Sequence, residues 1–265
     1  MTDHITIERS YRTPLPIIGI PLPERENPII VLLSENIVRV SGDIFIDSFC
    51  KRRVEIKNVR VRRDFAKTLE SFIETLSREL GTDICLSISI SSDLGEFLYL
   101  PLYGIVTHAI VDSLVEEMNP LDLAKALIVI DRSIGLSSTF NESIRFSIAE
   151  SSSIAFRRGD EYIRLDSERV RVRVSRLRHV KMSEIPRELL EGEIGDLVTK
   201  LVGYTILKSI QSIREGDIEK LKRYLDLHNR LWSLIYDTPR GECLYVYDEW
   251  SRIACLNISL EQIIK

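Results

Sequence analysis

The stretch that decides the fold is SISISSDLGEFLYLPLYGIVTHAIVDSL, residues 87–114. Its first part alternates serine with Ile88 and Ile90, a period of two that predicts a half-buried β-strand. Its last part, YGIVTHAIVDSL, is a longer apolar segment that predicts an α-helix. A short loop containing Gly95 joins the two. The stretch therefore predicts a strand, a glycine loop and a helix in succession.

This order of elements is typical of phosphate sites in α/β proteins. Glycine lets backbone N–H groups approach an anion, and the helix N-terminus adds a favourable dipole. The sequence therefore predicts an anion-binding or cofactor-binding site that is built from Ser91, Ser92, Gly95 and Gly104. The alternative is a plain connection in which the bulky leucines of the loop fill the core instead of leaving room for a ligand.

Composition places the chain among globular proteins of one large or two smaller domains. It has 265 residues, 44% apolar and 29% charged, with a net charge of -4. This charge gives no general case for nucleic-acid or membrane binding. The apolar runs are too short for a membrane span, and no signal peptide is evident, so a cytoplasmic protein is expected. Abundant charge with scarce glutamine and methionine indicates a thermophile.

The four cysteines form no CxxC motif of the kind used in metal or redox sites. They are Cys50, Cys85, Cys243 and Cys255. Reduced thiols are expected in an intracellular protein. A disulfide between Cys243 and Cys255, which flank a predicted hairpin, is the alternative.

The hydrophobic period changes repeatedly along the chain without strict βαβ alternation, which favours an α+β fold. Residues 28–49 are predicted to form two or three strands, with turns at 34–36 and 41–43. Residues 138–166 are predicted to return to strands, 217–236 to form an amphipathic helix, 242–259 a hairpin and 260–265 a helical turn. A shift in composition predicts a mixed lobe over 1–178 and a helix-rich lobe over 179–265.

This order of elements resembles that of the GHMP kinase family. The resemblance rests on SISISSDLGE, YGIVTHAIVDSLVEEMNPLDLAKALIVIDRSIGLSS and the later segment SIREGDIEKLKRYLDLHNRLW. It implies a two-lobed α+β fold, with an N-terminal lobe like domain 2 of ribosomal protein S5. It also implies ATP and magnesium as cofactors and a small hydroxylated metabolite as substrate.

The family motifs carry over onto particular residues of this chain. The family loop, P-x-x-x-G-L-G-S-S-A-A, corresponds to SSDLGEFLYLPLYG, in which bulky residues replace small ones and proline removes an N–H donor. Glu142 corresponds to the family's catalytic acidic residue. Asp131 corresponds to its magnesium-binding acid, with a catalytic role. The family's N-terminal basic residue corresponds to Arg9 or Arg12.

Three functions follow as hypotheses. The first is ATP-dependent phosphorylation of a small molecule, and the second is a non-catalytic binding or regulatory role on the same scaffold. The third is nucleic-acid contact through the basic segment 51–63, which the overall charge does not favour. Homodimer formation stays open as an expectation, and no membrane partner is expected.

Overall fold

The computed structural model describes residues 3–21, 28–46, 53–59, 61–94, 96–115, 117–159, 162–165, 169–181, 192–238, 243–248 and 252–263. Gly95 and residues 51, 52 and 60 of the basic segment lie outside these ranges. Within them the chain forms six helices and nine strands in mixed parallel and antiparallel pairing, which confirms the α+β prediction.

The chain divides into two compact units. Unit 1 comprises Met1–Thr13 and Asn36–Glu150, and unit 2 comprises Pro14–Glu35 and Ser151–Lys265. Two strands, β1 (Asp3–Ile18) and β2 (Ile29–Ile46), run through both units. Residues 178 and 179, between which the composition predicts a lobe boundary, lie in one strand of unit 2, and the predicted lobes stay a prediction.

Unit 1 combines strands with a layer of four helices. Its own elements are β3 (Val54–Lys57), α1 (Arg63–Leu80), β4 (Ile84–Ser92), α2 (Tyr99–Leu114), α3 (Pro120–Ser133) and α4 (Thr139–Glu150). Strand β4 is antiparallel to β2 and parallel to β3. The predicted order of strand, loop and helix over residues 87–114 is confirmed by β4 and α2.

Strand β2 is continuous, so the turns predicted at 34–36 and 41–43 are wrong. Its residues 38–46 pair one by one with β4, which satisfies the backbone groups across the predicted second turn. At Gly42 the two strands come so close that a Cβ would lie 2.2 Å from the carbonyl oxygen of Ser87. Gly42, with φ +150°, therefore serves a close approach of two backbones and not a turn.

Helix α4 replaces the strand predicted at the start of residues 138–166. Phe140, Ile144 and Ile148 are buried and recur every fourth residue, which is the helical period. Serines and charged residues between them masked this period in the sequence. The strands predicted further along this segment are present as β5 (Ile154–Phe156) and β6 (Ile163–Arg164).

Unit 2 packs two long helices with further strands. Its remaining elements are β7 (Val170–Lys181), α5 (Gly192–Glu215), α6 (Ile218–Tyr236), β8 (Leu244–Tyr247) and β9 (Arg252–Gln262). Helix α6 and the β8–β9 hairpin confirm two predictions. The predicted helical turn at 260–265 is wrong up to residue 262, because β9 pairs with β7 as far as Gln262 opposite Val170.

A disulfide joins Cys243 to Cys255 beside this hairpin, with a Cα–Cα distance of 5.4 Å. Cys85 of unit 1 is also disulfide-bonded. The expectation of reduced thiols is therefore wrong, and the alternative pairing of Cys243 with Cys255 is confirmed. Disulfides are typical of oxidising compartments and of intracellular proteins of hyperthermophiles.

Replacing Cys243 and Cys255 together by alanine is expected to lower the free energy of unfolding by about 3 kcal/mol, because the bond closes a short loop in the unfolded chain. Urea denaturation of the variant and of the wild type measures this difference. When both proteins are unfolded under reducing conditions, which also open the Cys85 disulfide in each, the wild type should match the variant. Equal midpoints for oxidised wild type and variant would contradict the prediction.

Candidate functional site

A buried ion pair between Asp131 and Arg145 joins α3 to α4 in unit 1. Arg145 Nε lies 2.8 Å from Asp131 Oδ2, and Arg145 Nη2 lies 2.9 Å from Oδ1. The side chains are 1% and 0% exposed, respectively. Two parallel charge-assisted hydrogen bonds are the strongest geometry available to a carboxylate and a guanidinium.

Two further donors complete the surroundings of the Asp131 carboxylate. The hydroxyl of Tyr103 in α2 donates to Oδ1 at 2.7 Å. The Nδ2 amide of Asn141 in α4 donates to Oδ2 at 2.7 Å. Burial, and secondarily the charge of Asp131, raise the pKa of Tyr103 well above its usual range, so the phenol remains a donor. Each carboxylate oxygen thus accepts two hydrogen bonds.

The remaining guanidinium nitrogen of Arg145 binds α2. Nη1 donates to the carbonyl oxygen of Gly104 at 2.9 Å and to Thr107 Oγ1 at 2.6 Å. Burial opposes the positive charge, but the attraction and hydrogen bonds of Asp131 outweigh it and raise the pKa of Arg145. Arg145 therefore stays charged and links three helices.

This environment does not fit the predicted role of Asp131 as magnesium ligand and catalytic residue. Magnesium binding through either oxygen would have to displace a donor from it and would weaken the pairing of the buried Arg145 charge. Within the described ranges, no group of three His, Cys, Asp or Glu side chains is placed to hold a metal ion. The structure gives Asp131 a structural role instead.

Glu142, the predicted catalytic base, lies in the first turn of α4 and is also paired with an arginine. Arg132 Nη2 at the end of α3 donates to Glu142 Oε1 at 2.9 Å, and Arg132 Nε donates to the same oxygen at 3.3 Å. The Glu142 side chain is 5% exposed, whereas that of Arg132 is 54% exposed. Glu142 is therefore covered from solvent, with its partner at the surface.

Ser91, Ser92 and Gly104, the described members of the predicted anion-binding set, take part in strand pairing and helix packing. Ser91 and Ser92 are the last residues of β4 and pair with Arg39 and Val38 of β2. Ser92 Oγ accepts a hydrogen bond from the backbone N–H of Leu94. A carboxylate, Asp93, follows them directly. Gly95 lies outside the described residues, so its part in the prediction stays untested.

The N-terminus of α2 is filled by side chains. Leu98, Leu100 and Leu102 are buried, with 4%, 0% and 1% exposed surface. Pro101, also buried, supplies no N–H donor in the first turn. This observation supports the alternative that the sequence left open, in which the loop leucines pack into the core.

Gly104 serves helix packing within unit 1. It lies inside α2, where a Cβ would come within 2.8 Å of Ile144 Cγ2 and 3.2 Å of Ile148 Cδ1. Both isoleucines belong to α4. Gly104 therefore allows α2 and α4 to approach closely, and its backbone oxygen accepts from Arg145, so it presents an acceptor and not an anion-binding donor.

The N-terminal basic residue Arg9 is bound to Asp112 of α2, with Nε 2.9 Å from Oδ2. His108, one turn before Asp112, is buried, and desolvation followed by the Arg145 charge lowers its pKa to about 4. His108 is thus neutral at physiological pH, and its ring packs edge-on against Tyr11.

Two arginines of the basic segment 51–63 lie beside carboxylates. Arg53 Nη2 is 3.4 Å from Asp83 Oδ1, and Arg62 Nη2 is 2.7 Å from Asp64 Oδ2. These pairs reduce the local positive charge. Nucleic-acid contact through this segment stays a prediction.

Comparison with solved structures reveals the architecture. Mevalonate diphosphate decarboxylase from Staphylococcus aureus superposes with a TM-score of 0.61 at 10% identity, covering 99% of this chain and 96% of that chain. Mevalonate kinase from L. major in complex with R-mevalonate gives 0.63 at 10%, covering 97% and 90%. The chain has a GHMP kinase-like fold.

A third GHMP-fold structure, that of MDDEF in complex with MVAPP, AMPPCP and magnesium, gives a TM-score of 0.60 at 9% identity and covers 96% of this chain and 89% of that one. No family model and no curated protein matches the sequence. Identities this low establish the shared fold and not a shared activity. The predicted two-lobed GHMP kinase-like fold is confirmed at that level.

Sequence reasoning missed the three residues that donate to Asp131 on this GHMP kinase-like scaffold, Tyr103, Asn141 and Arg145. It also missed Thr107, whose hydroxyl accepts from Arg145. One signal was available. Arg145 directly follows Ile144 in the apolar repeat of α4, and a charged residue beside a buried position needs a partner. The sequence could not show that this partner is Asp131, since Asp131 lies on another helix.

Removing the Asp131 carboxylate is expected to destabilise unit 1 strongly. Asp131→Ala leaves the buried Arg145 charge unpaired, so the free energy of unfolding should fall by about 3–5 kcal/mol. The double variant Asp131→Leu/Arg145→Met removes both charges and should recover most of this loss. Urea denaturation measures all three proteins.

Lys125→Ala, on the exposed side of the same helix, is the matched control and should change stability by less than about 0.5 kcal/mol. A loss from Asp131→Ala as small as that of the control would show that the pair is not important for stability. A double variant less stable than Asp131→Ala would contradict the argument from charge burial.

Adding one methyl group at Gly104 is expected to separate α2 from α4. Gly104→Ala should destabilise by about 1–3 kcal/mol, because the new Cβ overlaps Ile144. Gly203→Ala is the control, since Gly203 lies inside α5 and, apart from the neighbouring backbone of that helix, no atom comes within 4 Å of the added Cβ. It should stabilise by up to about 1 kcal/mol through helix propensity. Thermal unfolding distinguishes these opposite signs, and equal signs would contradict the packing argument.

Proposed function

We propose that this protein is a GHMP-type relative that acts as a non-catalytic binding or regulatory protein. The observation that carries the proposal is the filled N-terminus of α2. A phosphate at a helix N-terminus needs backbone N–H groups that it can reach. Here Leu98, Leu100 and Leu102 are buried at this end of the helix, and Pro101 has no N–H group.

The acidic residues support the same proposal. Phosphoryl transfer of this kind depends on metal ions that neutralise the developing charge and on a residue that positions the nucleophile. Asp131 and Glu142 are instead each paired with an arginine, Arg145 and Arg132, respectively. The residues present therefore do not fit magnesium-ATP in the arrangement that the family motifs imply.

ATP-dependent phosphorylation of a small hydroxylated metabolite is the second candidate. The fold supports it, since the MDDEF structure holds AMPPCP and magnesium. Glu142 also supports it, because this carboxylate lies in the first turn of α4 and its arginine partner, Arg132, is 54% exposed.

Thermal unfolding with magnesium and either ATP or AMPPCP decides between the two candidates. A ligand present at 100 times its dissociation constant stabilises a protein by about 2.7 kcal/mol. We expect no such stabilisation with millimolar nucleotide. Isothermal titration calorimetry with the same ligands should give no saturable heat.

Saturable nucleotide binding with turnover of ATP would overturn the proposal. In that case Glu142→Gln should abolish turnover if Glu142 is the base of the second candidate. Asp122→Asn, an exposed carboxylate of α3, is the matched control and should leave turnover unchanged.

A further inference from the structure

Helix α5 exposes several large apolar side chains, three of which lie on its outer face. Nine large apolar residues of the described chain are more than two-fifths exposed, and four of them lie on this one helix. They are Ile194 (53%), Leu197 (57%), Tyr204 (49%) and Leu207 (67%). Single exposed apolar residues are ordinary, whereas a contiguous set marks an interaction surface.

The opposite face of α5 already has its partner. Val198, Val202, Ile206 and Ile213 are buried, and α5 packs along α6 within unit 2. Tyr204 extends this packing at one edge, where its ring meets Tyr224 of α6 edge-on. The apolar outer face is therefore additional to the core of unit 2.

The outer face follows the spacing of a coiled-coil seam. Residues 193, 197, 200, 204, 207 and 211 recur at alternating steps of four and three, which places them on one stripe. Their identities are Glu, Leu, Lys, Tyr, Leu and Gln. This stripe is called the α5 seam below.

The α5 seam is complementary to an antiparallel copy of itself. Around a two-fold axis beside residue 202, Leu197 meets Leu207 of the copy and Lys200 meets Tyr204. At the ends, Glu193 meets Gln211. These are an apolar contact, a cation–π contact and a hydrogen-bonding pair, and each occurs twice in an isologous interface. Tyr204 and Gln211 also have partners within the chain, Lys208 and Glu215, so the apolar pair is the main contact that the copy adds.

A parallel arrangement would be less favourable. It would place Glu193 opposite Glu193 and Lys200 opposite Lys200, and like charges facing each other destabilise. The antiparallel copy avoids both contacts and keeps the two leucines of each chain in the interface. The charge pattern therefore selects one orientation.

We propose that the α5 seam is the interface of a two-fold symmetric homodimer. The occupant of this surface is a second copy of this chain, with Leu197 and Leu207 as the central apolar pair. The interface involves unit 2 and does not depend on whether the protein binds nucleotide.

Sedimentation and light scattering at micromolar concentrations test the assembly. The wild type should have twice the 30.5 kDa mass of one chain. Leu197→Glu/Leu207→Glu should be a monomer with an unchanged circular dichroism spectrum. Val129→Glu, at an exposed apolar position of α3 that is 64% exposed, is the matched control and should remain a dimer.

Cysteine cross-linking tests the register. Leu197→Cys/Leu207→Cys should form an intermolecular disulfide on oxidation, and each single variant should not. In an antiparallel pair the two copies of residue 197 are about 15 Å apart along the helix, at 1.5 Å per residue, which is too far for a disulfide. The cysteines within the described ranges, Cys85, Cys243 and Cys255, are all disulfide-bonded and therefore do not interfere.

A monomeric wild type would overturn the proposal, since the surface would then have another occupant or none. A dimer that survives Leu197→Glu/Leu207→Glu would show that the copies meet elsewhere. A cross-link formed by either single variant would contradict the antiparallel register.

Discussion

The buried pair of Asp131 and Arg145 is the interaction on which the helical layer of unit 1 depends. Moving either charge out of water costs several kcal/mol, and only close pairing with complete hydrogen bonding offsets this. The bonded groups come from three helices: Asp131 from α3, Arg145 from α4, and Tyr103 and the Gly104 carbonyl from α2. The three helices therefore have to lie in one particular arrangement for these groups to form their hydrogen bonds. Such a network is one way in which a core specifies a single arrangement.

The same pair determines what the site can do. Its carboxylate comes from the position that the GHMP resemblance assigns to magnesium, yet it accepts four hydrogen bonds from protein groups. The glycine expected to receive a phosphate instead lets α2 approach Ile144 of α4. Residues of the types that suit a catalytic site thus stabilise the helix layer. The fold shared with GHMP kinase-like structures does not specify the local chemistry, which is why the fold alone licenses no function.

Unit 2 is stabilised by other means. The Cys243–Cys255 disulfide fixes the chain around the β8–β9 hairpin, and α5 and α6 bury a shared apolar face. The outer side of α5 differs from that of an ordinary amphipathic helix, because it carries Leu197, Tyr204 and Leu207 among its charged residues. Exposing these apolar side chains to water is unfavourable, and a partner that covered them would remove this free-energy cost. Unit 1 therefore contains a buried polar network, whereas unit 2 exposes apolar side chains on the outer face of α5.

The sequence by itself determined the local elements whose period is clear. Residues 87–114 give the strand and helix, α6 follows from its apolar stripe, and the hairpin follows from its two short apolar runs. The sequence mispredicted β2 and α4. In β2, serine and glycine suggested turns, but pairing with β4 keeps the strand continuous. In α4, the serines suggested a strand, but packing in the helical layer determines a helix. The sequence also selected Asp131 and Glu142, both of which lie where α3 meets α4. Their roles were decided only by the tertiary structure, because a hydrogen bond joins groups that are close in space, and Arg145 reaches Asp131 from another helix. Periodicity records which side of an element is buried, but it does not record which buried polar group meets which.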